Sequence, residues 1–563
     1  MIARCIGLVA LSQSIFSHVL ASPTKHTGPV RRQSPSLSPA LPLYDQPLPI
    51  PPVKEPKMII TNPTTGEDIL YYEVEIRPFT KSIYGSGNTS LVGYDGIAPG
   101  PTFLVERGQE TVVRFINNSP SGNSVHLHGS PSRAPFDGWA EDITEPGEYK
   151  DYYYPNQQSA RTLWYHDHAM RRTAEDVYMG QAGMYILHDP AEDALNLPSG
   201  YGEYDIPLII SSKQYNDDGT LFSTEGNTDS VWGDVIHVNG QPWPYMEVEP
   251  RKYRLRLLNA AVSRSFGLYF ATEARNTTRI PYDVIASDAG LLSSPAETTQ
   301  LYLSNGERYE LVFDFSEYAG QNVDLLNIAR SVGGIGVDPD YANTNKVMRF
   351  RVSPNPPQEE DTSEVPSELR EVPFPTPDTT VDHVFRFART NGIWTINGVR
   401  FSDVANRLLA NVPRGTVQRW QLENNNGGWS HPIHLHLVDF RIVARGGARR
   451  VLPYESQGLK DVVWLGVREV VIVEAHYAPY PGVYMFHCHN LIHEDFDMMA
   501  SFNTTVLPEY GYNASSFIDP MEDLWRARPF TLSDFSSGAG EFSESAITQR
   551  IQFMASYEPY QTQ

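Results

Sequence analysis

The stretch Arg107-Gly-Gln-Glu-Thr-Val-Val-Arg-Phe-Ile-Asn117 reads as a turn feeding a β-strand that stops at an asparagine. The pattern returns as Pro250-Arg-Lys-Tyr-Arg-Leu-Arg-Leu-Leu-Asn259 and as Pro413-Arg-Gly-Thr-Val-Gln-Arg-Trp-Gln-Leu-Glu-Asn424. A second element precedes each copy: Tyr94-Asp-Gly-Ile-Ala-Pro-Gly-Pro, Val238-Asn-Gly-Gln-Pro-Trp-Pro and Ile396-Asn-Gly-Val-Arg-Phe. Three copies, about 140 to 165 residues apart, predict three similar domains.

Elsewhere, aromatic and β-branched runs of about four to eight residues alternate with Gly, Pro, Asn and Asp, and helical periodicity is scarce. The expected fold class is all-β, with sandwich domains over residues 33–190, 200–355 and 380–510. The Pro- and Gly-bearing stretch 188–205 and the Pro-rich acidic stretch 354–380 read as linkers. Residues 511–563 read as a C-terminal tail with one helix near 544–555.

Residues 1–21 carry a basic Arg4, apolar runs and small residues Val19 and Ala21, the pattern of a secretory signal peptide cleaved after Ala21. The Pro- and Ser-rich segment 22–32 ends in Arg31-Arg32, a dibasic propeptide site that puts the mature start near Gln33. Asn-X-Ser/Thr acceptors at Asn88, Asn117, Asn276, Asn503 and Asn513 fit a secreted glycoprotein. Apart from the leader, no apolar run is long enough to cross a bilayer. Removing Arg4, Lys25, Arg31 and Arg32 takes the net charge from −23 to −27, a surface that repels nucleic acid and anionic membranes. Of two cysteines, Cys5 leaves with the leader and Cys488 remains, so no internal disulfide can form.

Ten of the sixteen histidines lie in four segments: His126-Leu-His128, Trp164-Tyr-His166-Asp-His168, His431-Pro-Ile-His434-Leu-His436 and His487-Cys488-His489-Asn-Leu-Ile-His493. Side chains alternate faces along a strand, so each His-X-His pair points one way and forms a bidentate half-site. The same parity sets Cys488 opposite His487 and His489, and His431 opposite His434 and His436. That divides the donors into eight imidazoles on one side and His431, Cys488, His493 and Met498 on the other. Two imidazoles, a thiolate and a thioether suit a blue-copper centre, and eight imidazoles suffice for three further ions. Structural zinc sites use compact spacings such as CxxC, which is absent here. His18, His26, His188, His237, His383 and His476 have no partner at ligand spacing.

These segments, in this order, resemble the copper-binding motifs of the multicopper oxidases, a family of three cupredoxin domains with ligands in the first and third. Phe136-Asp-Gly-Trp-Ala-Glu-Asp, Gly233-Asp-Val-Ile-His-Val-Asn-Gly-Gln-Pro-Trp-Pro and His487-Cys-His-Asn-Leu-Ile-His-Glu-Asp are most similar to fungal members that oxidise bilirubin. The resemblance implies four copper ions: a type 1 ion on His431, Cys488, His493 and Met498, and a type 2 ion on His126 and His434. His128, His166, His168, His436, His487 and His489 would hold the type 3 pair. It further implies that Asp137 and Glu494 supply protons for reduction of O2 to water; the ordinary role of an acid is a solvated surface group. Trp429, two positions before His431, either shields the type 1 site or packs in the core. Typical fungal laccases differ in an apolar axial residue and in having disulfides, so Met498 predicts a less extreme potential.

The expected reaction is one-electron oxidation of small aromatic or tetrapyrrole donors, bilirubin (giving biliverdin) and phenols, coupled to four-electron reduction of O2 to water. A general laccase-type phenol or pigment oxidase is the alternative. A metal-ion oxidase would favour a methionine-rich entrance, and the chain has no methionine run beyond Met498-Met499. A purely electron-carrying copper protein would not need eight additional histidines.

Overall fold

The computed structural model describes residues 37–84, 87–328, 341–377, 380–425, 427–447, 449–507 and 518–557. The expected signal and propeptide segments, His18, His26 and Asn513 lie outside these residues.

Each of the three repeated strands holds the same place in its sheet. Glu110–Asn117 runs parallel to Asp68–Tyr84 and antiparallel to Glu148–Tyr154. Lys252–Asn259 runs parallel to Asp205–Lys213 and antiparallel to Arg308–Asp314. Val417–Asn424 runs parallel to His383–Thr390 and antiparallel to Val470–His476. The Asp-Gly and Asn-Gly pairs upstream turn with positive φ at both residues: Asp95 and Gly96 at 55° and 68°, Asn239 and Gly240 at 51° and 76°, Asn397 and Gly398 at 52° and 79°. Only Gly, Asn and Asp enter that region cheaply, which is why these dipeptides recur at tight hairpin turns.

The asparagine that ends each repeated strand is buried and does the same work three times. Asn117 Nδ2 donates to Ser121 O and Thr144 O, both at 2.8 Å. Asn259 Nδ2 donates to Arg264 O (2.9 Å) and Leu303 O (3.2 Å), and Asn424 Nδ2 to Trp429 O (2.7 Å) and Gly466 O (2.9 Å). Asn117 and Asn259 also accept the main-chain N–H two residues on, at 2.9 Å, closing a side-chain turn. Asn259→Ala strands three buried main-chain partners and is expected to cost about 2–3 kcal/mol, read as a lower urea midpoint with unchanged slope.

The strands form six sheets among the described residues, and each successive pair of sheets encloses one apolar core. In the first pair, a six-stranded sheet faces a four-stranded one containing Val125–His128 and Arg161–Asp167. The second pair, with seven and five strands, spans Asp205 to Val352. In the third, one five-stranded sheet sets His431–Leu435 beside Gly482–Cys488 and Val462–Leu465. The cores match the alternation in sequence: Trp420 and Leu422 of the third repeat are wholly buried while Gln421 between them is not.

The tail returns to the first pair. Arg528–Pro529 pairs with Glu148 and Tyr149, and the helix Glu544–Ser556, capped by Ser543, inserts Ile547, Ile551 and Met554 into that core. No described helix is long and apolar enough to cross a membrane.

Candidate metal centre

The register of two strand pairs brings the histidines together. Val125–His128 and Arg161–Asp167 are antiparallel neighbours with His126 opposite His166; His431–Leu435 and Gly482–Cys488 are antiparallel neighbours with His434 opposite His487. All eight imidazoles of the first set are buried. His168 Nε2 and His436 Nε2 lie 3.2 and 3.1 Å from His487 Nε2, so three ring nitrogens converge on one place. His128 Nδ1 is 3.2 Å from His489 Nε2, and His126 Nε2 is 3.4 Å from His434 Nε2. His166 groups with His126 and His128, and its buried Nε2 has no hydrogen-bond partner.

Six of the eight rings have a partner for the outward nitrogen, whereas the outward Nδ1 of His168 and of His489 makes no hydrogen bond. His126 Nδ1 donates to Asp137 O (2.5 Å), His166 Nδ1 to Asp167 O (2.8 Å) and His434 Nδ1 to Asp461 O (2.8 Å). His436 Nδ1 donates to the Asp137 carboxylate (2.8 Å), His487 Nδ1 lies 3.0 Å from that of Glu494, and His128 Nε2 donates to that of Asp461 (3.0 Å). An N–H anchored outward leaves the other nitrogen with its lone pair directed inward, the arrangement of metal-binding imidazoles. Burial and then the neighbouring rings push His126, His434, His436 and His489 well below the ordinary histidine range, and push His166 down to about 3. These rings are neutral near pH 7, the form that binds a metal.

The second set is also buried. Cys488 Sγ lies 3.3 Å from His431 Nδ1 and 3.6 Å from His493 Nδ1, and the two nitrogens are 3.2 Å apart. Met498 is wholly buried beside it; its N–H donates to His493 O (2.9 Å) and its carbonyl accepts from Cys488 N (3.1 Å). Burial pushes the Cys488 thiol up, so a metal that enters must displace its proton. Because His487 and His489 flank Cys488, the two sets are joined through consecutive residues.

The two acids differ in environment. Burial raises Asp137 well above the usual carboxylate range, with Lys150 opposing. Burial also acts to raise Glu494, but His487 and His168 outweigh it and hold the carboxyl below its ordinary range.

Several neighbours were not singled out in the sequence. Trp164 stacks on His166 (4.1 Å between ring centres), and its position two before His166 on one strand made that readable. Trp394 stacks on His493 (3.8 Å), Asp229 O accepts from His493 Nε2 (2.8 Å), and Asp461 meets His128 and His434; all three come from distant segments and carry no local signal. Trp429 is half-buried and edge-on to both His493 and Trp394, at 5.4 Å. Among the other described histidines, His237 bonds the Tyr215 hydroxyl (3.1 Å), His476 bonds Gly415 O, His383 stacks on Phe385 and His188 pairs with Asp193.

A thiolate–imidazole set with a buried methionine beside it, wired to a cage of eight imidazoles, has the donor chemistry of a redox copper protein. Multicopper oxidase family models match residues 76–192 and 373–507. The chain is 63% identical over its full length to 99% of a bilirubin oxidase from Albifimbria verrucaria. It is 34% identical, over 81% of its length and 98% of the relative's, to a laccase from Bacillus subtilis. Among solved structures, the McoA multicopper oxidase of Aquifex aeolicus superposes with a TM-score of 0.73 at 27% identity, covering 82% of this chain and 100% of that one. The chain belongs to the multicopper oxidase family: it is a copper-dependent oxidoreductase that uses dioxygen as electron acceptor.

Proposed function

We propose that this chain oxidises bilirubin to biliverdin and accepts phenols as further donors, with four copper ions per chain. The 63% identity to a bilirubin oxidase along the whole sequence carries the choice of substrate. Each bilirubin gives up two electrons and two protons, so two bilirubins reduce one O2 to two waters. The residues around Cys488 would hold a copper ion supplying one-electron acceptance from the donor, and the histidine cluster would hold ions supplying four-electron reduction of O2.

His431, Cys488, His493 and Met498 are assigned to the type 1 ion, and His126 with His434 to the type 2 ion. The type 3 pair is assigned to His128, His166, His168, His436, His487 and His489; the convergence of His168, His436 and His487 supports one ion there, and the 3.2 Å approach of His128 Nδ1 to His489 Nε2 supports the other. Asp137 and Glu494 hold and pass protons: the first, whose burial favours the protonated form, is bonded to His436, and the second is set between His487 and His168, which favour its charged form. Copper stoichiometry, the blue charge-transfer band and bilirubin-dependent O2 uptake on one sample test the assignment. Phenol turnover with inert bilirubin would instead make the protein a laccase-type oxidase.

The leader reading places the enzyme outside the cell, with glycan on Asn276. Asn276 is exposed, whereas Asn117 and Asn503 are buried and Asn117 has both side-chain ends bonded. Glycopeptide mass spectrometry is expected to find sugar on Asn276 and none on Asn117 or Asn503; a glycan on Asn117 contradicts the fold around it.

A further inference from the structure

None of the histidines converging at the cluster comes from the second pair of sheets, yet that pair reaches the cluster through one wholly buried side chain. Arg308 opens the strand Arg308–Asp314, and all five of its guanidinium N–H donors find acceptors. Nε donates to Thr162 O (3.0 Å), in the strand that carries His166. Nη1 donates to Gly306 O (3.1 Å) and Nη2 to Asp288 O (3.1 Å), and each also donates to one oxygen of Asp461 at 2.6 Å. One guanidinium therefore ties together residues of all three sheet pairs.

Asp461 in turn touches two cluster histidines. Its Oδ1 accepts from His128 Nε2 and its carbonyl from His434 Nδ1. His128 is the exception in the cage: it turns Nδ1 inward, whereas the outward contacts of His126, His166, His434, His436 and His487 all use Nδ1. The Asp461 carboxylate is what holds that reversed orientation. Asp461 is itself fixed at both ends, since Asp288 Oδ2 accepts the main-chain N–H of Asp461 (3.2 Å) and Val462 (3.1 Å). Space confirms how closely the parts are fitted: a Cβ on Gly129 would fall 2.5 Å from Arg308 Nη2 and 2.8 Å from Asp461 Oδ2, at a φ of +88°. A Cβ on Gly306 would fall 2.9 Å from His489 Cδ2.

We infer that Arg308 is a positioning residue of the oxygen-reducing cluster, acting through Asp461 to set the ring of His128 and the placement of His434. The ligand-free sheet pair is thereby a working part of the site. Lysine cannot replace the guanidinium, because a point charge with three donors cannot form the paired bonds to one carboxylate and also reach three carbonyls. The inference rests on the proposed copper assignment of His128 and His434.

The test uses full-length, copper-loaded wild type, Arg308→Lys, Asp461→Asn and Gly129→Ala. Asp151→Asn, which breaks a buried ion pair made with Arg114 and Arg550, controls for loss of stability alone. The first three variants are expected to keep the blue band and its anaerobic bleaching by donor. Their type 2 electron paramagnetic resonance signal should change, and cluster copper should be held about 10- to 100-fold less tightly. Asp151→Asn should unfold more readily with an unaltered type 2 signal. An Arg308→Lys protein with wild-type signal and copper retention overturns the inference, as does loss of the blue band in step with cluster copper, which would mark a structural role only. A wild-type chain without cluster copper overturns the ligand assignment beneath it. Should Arg308→Lys not fold, Asp461→Asn and Gly129→Ala decide.

Discussion

Cys488→Ser is expected to abolish the blue absorption and to lower turnover with any organic donor by about 10³-fold or more, while three coppers remain at the eight-histidine cluster. The thiol sulfur is the atom toward which His431 and His493 both direct Nδ1, and its neighbours in sequence, His487 and His489, belong to the cluster. Serine is close in size, and Cys488 is free, so no crosslink is lost. The cost of a buried hydroxyl, about 1–3 kcal/mol, leaves the fold standing in a chain with three large cores. Copper content should fall from four to three per chain with the type 2 signal intact. Retained turnover would mean that electrons reach the cluster by another route. Loss of all four coppers would mean that the Cys488 strand holds the cluster together mechanically.

Much of this architecture could be read from the chain because the decisive features are local. An Asn-Gly or Asp-Gly pair needs only its own backbone to make a tight turn, and a His-X-His pair needs only strand parity to point both rings one way. The asparagines at 117, 259 and 424 were visible as repeat endings for the same reason. Asn117 also shows the limit of a local reading. Its Asn-Asn-Ser context looks like a glycan acceptor, but the same residue is the buried clasp of a turn, and burial is decided by Thr144, 27 positions away.

What could not be read is the layer behind the ligands. Arg308, Asp288 and Trp394 carry no spacing signal, since each reaches the site from another sheet or another pair of sheets, and Asp461 comes beside His434 only through the pairing of two strands of one sheet. Nor could the grouping of the type 3 histidines be read. Parity says which rings share a face of one strand, whereas the set His168, His436 and His487 depends on how the four-stranded sheet of the first pair approaches a five-stranded sheet of the third. Asp137 and Glu494 were suggested by resemblance, and only their surroundings separate an acid whose proton affinity is raised from one whose proton affinity is lowered.

That separation leads to the second large effect. Asp137→Asn is expected to leave electron entry intact and to slow O2 reduction by about 10²- to 10⁴-fold, the span that a positioned proton donor contributes. Asparagine keeps the size of the side chain and can still accept from His436 Nδ1, so the ring stays oriented while the ionisable group is gone. The main-chain bond from His126 Nδ1 to residue 137 is unaffected by the change. In a stopped-flow experiment, anaerobic donor should bleach the blue band at the wild-type rate, and return of the colour after mixing with O2 should lag. Glu494→Gln is expected to slow the same half-reaction. Its neutral amide also removes the charge facing His487 and His168, so it should weaken copper retention at those rings, which Asp137→Asn should not. If Asp137→Asn regains colour as fast as wild type, the proton comes from elsewhere and the carboxyl serves only to orient His436; if bleaching itself slows, the substitution has reached the Cys488 site and the two halves of the reaction are less separate than the geometry indicates.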